Sequence, residues 1–196
     1  MPIDEKTLPV ERDRRPQPPR SAILVGCDPQ TLGLVFPLDG PTTIGREPGV
    51  SLRLAYDGVS RLHAKIDPHA SGATITDMGS TNGTAVNGVE GGEHRLSSGD
   101  RIQLGAVELE FRLETADGLA ATKQRVDARA RLMLLSDRER EVADLVATGL
   151  RSAEISERMH ISTRTVNTHL EHIYDRLGIR TRPALAGLVA RAGLDE

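Results

Sequence analysis

Gly45-Arg46, Ser60-Arg-Leu-His63 and Asp77-Met-Gly-Ser-Thr-Asn-Gly-Thr84 follow one another in the first half of the chain. They place a fixed cation, hydroxyls and an amide on three turn-rich segments. Around them, short apolar runs at 22–25, 32–36, 64–66, 73–75, 102–104 and 107–111 are separated by Gly, Pro, Asn and Asp. The run Val107-Glu-Leu-Glu-Phe-Arg-Leu113 alternates strictly, as a half-buried strand does. Many short strands at such spacing predict an all-β sandwich over about 22–113.

The chemistry of the three segments is that of a phosphate reader. A phosphothreonine adds about two negative charges and three acceptor oxygens. Binding it takes a guanidinium, hydroxyl or backbone donors, and a group that holds the neighbouring peptide. Arg46, Ser60, Arg61 and Thr81 offer the first two, and the Asn82 amide can both donate to and accept from a peptide backbone. Gly45, Gly79, Gly83 and Gly88 permit tight loops. Taken alone, Asn82-Gly83 reads as a hairpin turn. Ser60, His63 and Asp77 do not read as a hydrolytic triad: there is no nucleophile elbow, and Ser60 and His63 share one loop.

The period changes in the second half. Ser136-Asp-Arg-Glu139 is a capping box that opens a helix carrying Val142, Leu145 and Val146, which Gly149 stops. Ser152 is placed to cap a short helix with Ile155 and Met159. Ser162 is placed to cap a third, whose Val166, Leu170, Ile173 and Leu177 are spaced 4, 3, 4, and Gly178 ends it. Thr181 and Pro183 open a fourth with Leu185, Leu188 and Val189. Residues 115–134 form a linker, weakly helical over 120–131. Residues 1–20, with five Pro and mixed charges, read as a disordered tail.

Composition narrows the classes. Of 196 residues, none is Trp, two are Phe and two Tyr, so the cores rest on Leu, Ile, Val and Ala. One cysteine, Cys27, allows neither an intrachain disulfide nor a thiolate metal cluster. The start Met-Pro-Ile-Asp-Glu-Lys has no apolar core, and no run approaches the roughly 18 apolar residues of a membrane span. A cytoplasmic protein with no membrane partner, no cofactor and no metal is expected. No P-loop, metal-ligand cluster or acid/base pair points to an enzyme. The net charge of −3 is spread unevenly: residues 21–114 hold 7 Lys/Arg against 12 Asp/Glu, residues 115–134 hold 4 against 2, and residues 135–196 hold 9 against 10. No part is basic enough for a large non-specific nucleic-acid footprint.

The three segments, with Leu96-Ser-Ser-Gly-Asp-Arg-Ile-Gln-Leu-Gly105 behind them, resemble the forkhead-associated (FHA) family of phosphothreonine-binding β-sandwiches. The resemblance implies that Arg46 and Ser60 bind phosphate, that Arg61 adds a contact, and that Thr81 and Asn82 hold phosphate or the ligand backbone. Gly45, His63 and Gly83 would support the loops.

The segments Leu135-Ser-Asp-Arg-Glu-Arg-Glu-Val142, Ala147-Thr-Gly-Leu150, Ala153-Glu-Ile155, Ile161-Ser-Thr-Arg-Thr-Val166, His169 and Leu177-Gly-Ile-Arg-Thr-Arg182 resemble the LuxR-type helix-turn-helix. That implies two domains: an all-β FHA sandwich (21–114), then, after the linker 115–134, an all-α four-helix LuxR-type helix-turn-helix domain (135–196). Burying Val166, Leu170, Ile173 and Leu177 exposes Arg164, Asn167, Thr168, Glu171 and Asp175 on the third helix. The resemblance places Asn167, Thr168 and Glu171 at base edges of double-stranded DNA, with Arg164, Thr165, His169 and Arg176 positioning its backbone. Many relatives carry Lys where Asn167 stands. This slightly acidic domain is therefore expected to bind weakly as a monomer. A homodimer through the last helix (Ala184, Leu185, Leu188, Val189, Ala190) is expected, although the same stripe serves equally as a core face.

Together the two resemblances predict a DNA-binding transcriptional regulator that reads phosphothreonine on a kinase, a partner or its own tail, where Thr7 is the candidate phosphoacceptor. The alternative is a phosphopeptide-binding adaptor whose helical domain binds protein rather than DNA.

Overall fold

The computed structural model describes residues 20–193. The expected tail, except for Arg20, and Thr7 lie outside the described residues. The β domain is two packed sheets. One is built from β1 (Ser21–Gly26), β2 (Val35–Pro37), β7 (Thr84–Val86), β8 (Val89–Glu90), β10 (Arg101–Leu104) and β11 (Val107–Glu114), in the order β2-β1-β11-β10-β7-β8. The other is built from β3 (Thr42–Gly45), β4 (Leu52–Arg53), β5 (Ala64–His69), β6 (Gly72–Asp77) and β9 (Glu93–Leu96), in the order β4-β3-β5-β6-β9. Pairing is antiparallel except between β3 and β4. The core between the sheets holds Leu24, Ile44, Ile66, Ile75, Ile102, Leu104, Leu109 and Phe111.

Sequence pattern accounts for both kinds of strand. In β11, Val107, Leu109 and Phe111 are buried while the intervening residues are half-exposed, as the alternation predicts. In β1, the unbroken Ala-Ile-Leu-Val run is buried on both faces. Ala22 and Leu24 enter the sandwich core. Ile23 and Val25 face α1 (Ala116–Leu132) and pack with Val126, Leu119 and Val35.

That helix replaces most of the expected linker. It starts four residues earlier than the weak pattern at 120, because the Thr115 side chain caps it by accepting the Gly118 N–H. Its apolar residues serve two cores. Val126 lies on β1, and Ala128 lies in the helical domain beside Leu135. The Arg129 Nε–H donates to the Ala192 carbonyl at 2.9 Å, and Arg131 donates to the Leu177 carbonyl. Both are cations on the terminal carbonyls of other helices, a favourable placement for their dipoles.

The helical domain contains α2 (Asp137–Ala147), α3 (Ser152–Met159), α4 (Thr163–Leu177) and α5 (Arg182–Ala192). The Ser136–Glu139 capping box is formed. Ser162 and Thr181 cap α4 and α5. Ser152 is not a cap. It is the first helical residue, and Arg151 precedes the helix with its N–H on Glu154 Oε2 at 2.6 Å. Val166, Leu170, Ile173 and Leu177 are all buried. Leu185 and Leu188, offered by the sequence as a dimer surface, are also in the core. Of that stripe only Ala184 and Ala190 are exposed, with Val189 half-buried. Among the described residues, no helix is long and apolar enough to cross a membrane.

Candidate functional site

The three motif segments converge at one end of the sandwich. Arg46 follows β3, and its N–H donates to the Ser60 carbonyl at 3.0 Å. The next N–H, of Glu47, donates to the Arg61 carbonyl at 3.1 Å. The loops lie this close because residue 45 is glycine: a Cβ there would sit 2.1 Å from the Arg61 carbonyl oxygen. From the other side, the Thr81 N–H donates to Ser60 Oγ at 2.9 Å, and the two hydroxyls lie 3.4 Å apart. Arg46, Glu47, Ser60, Arg61, Leu62, Gly79 and Thr81 line one open depression. Among the described residues, no carboxylate pairs with Arg46 or Arg61.

Two side chains, one buried and one half-buried, hold this arrangement. His63 is fully buried. Its Nδ1 accepts the Ser60 N–H at 3.1 Å, so the proton sits on Nε2, which donates to the Gly83 carbonyl at 3.0 Å. His63 therefore ties the Ser60 loop to the Asn82-Gly83 turn, and Gly83 meets it with φ 73°. Asp77 organises the rest of that turn. Its carboxylate accepts from Gly79 N–H, Ser80 N–H, Ser80 Oγ–H and Thr84 Oγ1–H at 2.6–2.9 Å. Burial alone would push its pKa up. The hydrogen bonds from Ser80, Thr84 and Gly79 outweigh that and hold it below the usual carboxylate value. Neither Ser60 Oγ nor the Asp77 carboxylate is on the imidazole, so these three residues form no triad. The Asn82 side-chain amide donates to the Gly58 carbonyl at 3.0 Å and stays exposed, with its oxygen facing no described donor. The sequence alone points neither to Glu47 and Leu62 in this depression nor to a structural role for Asp77. Glu47 was legible as the neighbour of Arg46, but the hub role of Asp77 depends on a turn that folds back to Thr84.

The second candidate surface is α4. His160, with φ 53°, turns the chain between α3 and α4. Arg164, Thr165, Asn167, Thr168 and Glu171 are exposed on α4. The Ser162 hydroxyl lies 2.8 Å from Thr165 Oγ1, and the Thr168 hydroxyl donates to the Arg164 carbonyl, so both threonines are braced locally. Arg176 has partners inside the domain as well. Its Nη1 donates to Glu139 Oε2 at 2.6 Å and to the Leu134 carbonyl at 3.3 Å. Glu139 is only 4% exposed. Burial raises its pKa, but the Ser136 N–H and hydroxyl, then Arg176 and His169, hold it below the usual value. Arg176 thus braces a buried carboxylate while its side chain stays 45% exposed on the surface where the sequence expects DNA-backbone contacts, and His169 beside it is half-buried. A carboxylate drawn into the α2 cap needs a cation beside it, and Arg176 supplies one.

An FHA domain model matches residues 42–105, which span all three converging loops. A model of bacterial regulatory proteins of the luxR family matches residues 133–189, from the end of α1 into α5. The oxoglutarate dehydrogenase inhibitor of Corynebacterium glutamicum is 36% identical over 106 residues, covering 54% of this chain and 74% of that protein. The chain belongs to the FHA-domain proteins. Its helical part is a LuxR-type helix-turn-helix domain. That part is 44% identical over 59 residues to a Mycobacterium tuberculosis protein named as an HTH-type transcriptional regulator, covering 30% of this chain and 7% of that one. The FHA domain-containing protein FhaA of Mycobacterium tuberculosis is 40% identical over 75 residues, 38% of this chain and 14% of its own. A crystal structure of the FhaA FHA domain, complexed with the intracellular domain of another protein, aligns with TM-score 0.43 at 36% identity, over 47% of this chain and all of that one.

Proposed function

We propose that this FHA and LuxR-type protein is a cytoplasmic transcriptional regulator that docks a phosphothreonine peptide on its β loops and binds double-stranded DNA through α4. The observation that carries the reading is the Ser60–Thr81 pair. Two loops from different parts of the chain bring two hydroxyls together beside Arg46 and Arg61, and among the described residues no carboxylate occupies those cations. A phosphate there takes charge from the guanidiniums and hydrogen bonds from the hydroxyls, while exposed Asn82 meets the peptide backbone. His63, Gly45 and Gly83 hold the loops.

On α4, the proposed base contacts are Asn167, Thr168 and Glu171, with Arg164, Thr165, His169 and Arg176 on the backbone. The proposed units are 21–114 for the reader, 135–196 for the DNA-binding part and 115–134 between them. Thr7 is the proposed phosphoacceptor for docking within the chain or onto a second copy, and a homodimer would add to the modest affinity of one slightly acidic domain.

The test pairs two binding measurements on the full chain. A phosphothreonine peptide library is expected to bind, its unphosphorylated counterpart to fail, and Arg46→Ala to lose the distinction. In a genome-wide binding profile, DNA retention is expected to vanish with Asn167→Ala and Thr168→Ala together. Phosphopeptide binding without any DNA retention at low salt would instead identify an adaptor.

A further inference from the structure

The depression over Ser60 and Thr81 contains one charged group that phosphate binding does not use. Glu47 lines it together with Arg46 and Arg61. The Glu47 N–H is fixed on the Arg61 carbonyl at 3.1 Å, in the same backbone ladder that fixes Arg46 on Ser60. Gly45 presses this ladder against the Arg61 loop, so the Glu47 backbone cannot withdraw from the site. The side chain is exposed, and among the described residues no cation lies within ion-pair distance of it. The depression therefore offers two positive charges and one negative. A phosphothreonine dianion balances the two guanidiniums and leaves the Glu47 carboxylate beside a doubly charged anion with no counterion.

From this juxtaposition we infer that Glu47 sets sequence specificity: the site selects phosphothreonine peptides that carry an arginine or lysine within a few residues of the phosphate. The cation on the peptide pairs with Glu47, and an acidic neighbour is repelled by both the carboxylate and the phosphate. This rests on the phosphothreonine reading above. The pair lies at the surface, so its effect is a preference of about two- to five-fold in Kd rather than an absolute requirement.

The experiment uses the full chain and matched phosphothreonine peptides. Arg, Ala or Glu is scanned through three positions on either side of the phosphate, and binding is read by fluorescence anisotropy beside unphosphorylated controls. The expected result is a two- to five-fold advantage of Arg over Glu at one or more positions. Glu47→Gln levels that advantage and Glu47→Lys reverses it. Raising the salt to about 1 M, where the screening length falls to about 3 Å, flattens it. If the wild-type protein ignores flanking charge, or if the preference for Arg survives unchanged in both variants, the role of Glu47 is overturned while phosphothreonine reading stands. If the wild-type protein binds phosphorylated and unphosphorylated peptides alike, both fall.

Discussion

Ser60 and Asn167 are both polar residues on candidate binding surfaces, and they are held in different ways. The Ser60 hydroxyl is fixed from outside its own segment, by the Thr81 N–H across the groove and by a loop that His63 and Gly45 tie down. Asn167 is placed by helix geometry alone: Val166 and Leu170 on either side are buried, and the side chain between them stands free. The first surface is an assembly of long-range contacts, so damage to a residue that never touches ligand should destroy it. The second is one face of a rigid helix, so its residues can be changed singly without harm to the fold.

Gly45→Ala puts the greatest strain on this contrast. Its Cβ meets backbone that cannot rotate away, and a loss of about 3 kcal/mol in the β domain is expected from urea unfolding, together with loss of phosphopeptide binding. Asn167→Ala should stay within about 0.5 kcal/mol of wild type. A neutral Gly45→Ala would break the comparison.

Next in size is Glu139→Ala, which removes the α2 capping box and the carboxylate partner of Arg176. About 2 kcal/mol should be lost from the helical domain, read by its thermal transition, with phosphopeptide affinity unchanged.

A smaller effect is expected from acid. The Asp77 pKa is lowered on folding, so its contribution is complete above the unfolded value of about 3.9 and is lost as pH falls through the lower folded value. Glu139 follows the same sign. Asp77→Asn should flatten the low-pH decline of the β domain only, measured by urea midpoints between about pH 2 and 5.

The smallest effect is a gain. His160→Gly removes a left-handed non-glycine residue at the α3–α4 turn, and an increase of about 0.5 kcal/mol is expected once the greater chain entropy of glycine is set against it, visible as a raised urea midpoint.

What the sequence made legible follows the same division. The alternation of Val107, Leu109 and Phe111 and the 4, 3, 4 spacing of Val166, Leu170, Ile173 and Leu177 are local periodic signals, and both faces were readable from them. Strands of two to four residues, such as β4, β8 and β9, are too short to show a period, and they exist because a neighbouring strand pairs with them. The helix α1 escaped full recognition for another reason. Val126 and Ala128 serve opposite cores, so no single apolar stripe marks it. The ion pair of Arg176 was not legible because its carboxylate lies on α2, far away in sequence, whereas the exposed face of α4 is visible from spacing alone. The motif residues at the candidate site were legible as types, but the close approach of Gly45 to Arg61 and the four donors on Asp77 are products of folding.

Helix α1 has a consequence for where things can stand. Its 17 residues span about 25 Å, one side seated on β1 and the other under α4 and α5. A flexible tether of the same residue count would let a docked protein wander through a cloud of positions. A packed rod gives it one bearing. Under the proposed function, a protein docked at Arg46 and Ser60 would be presented at a fixed azimuth around DNA bound by α4. Inserting one residue into the rod would swing that bearing by about 100° while lengthening it by only about 1.5 Å.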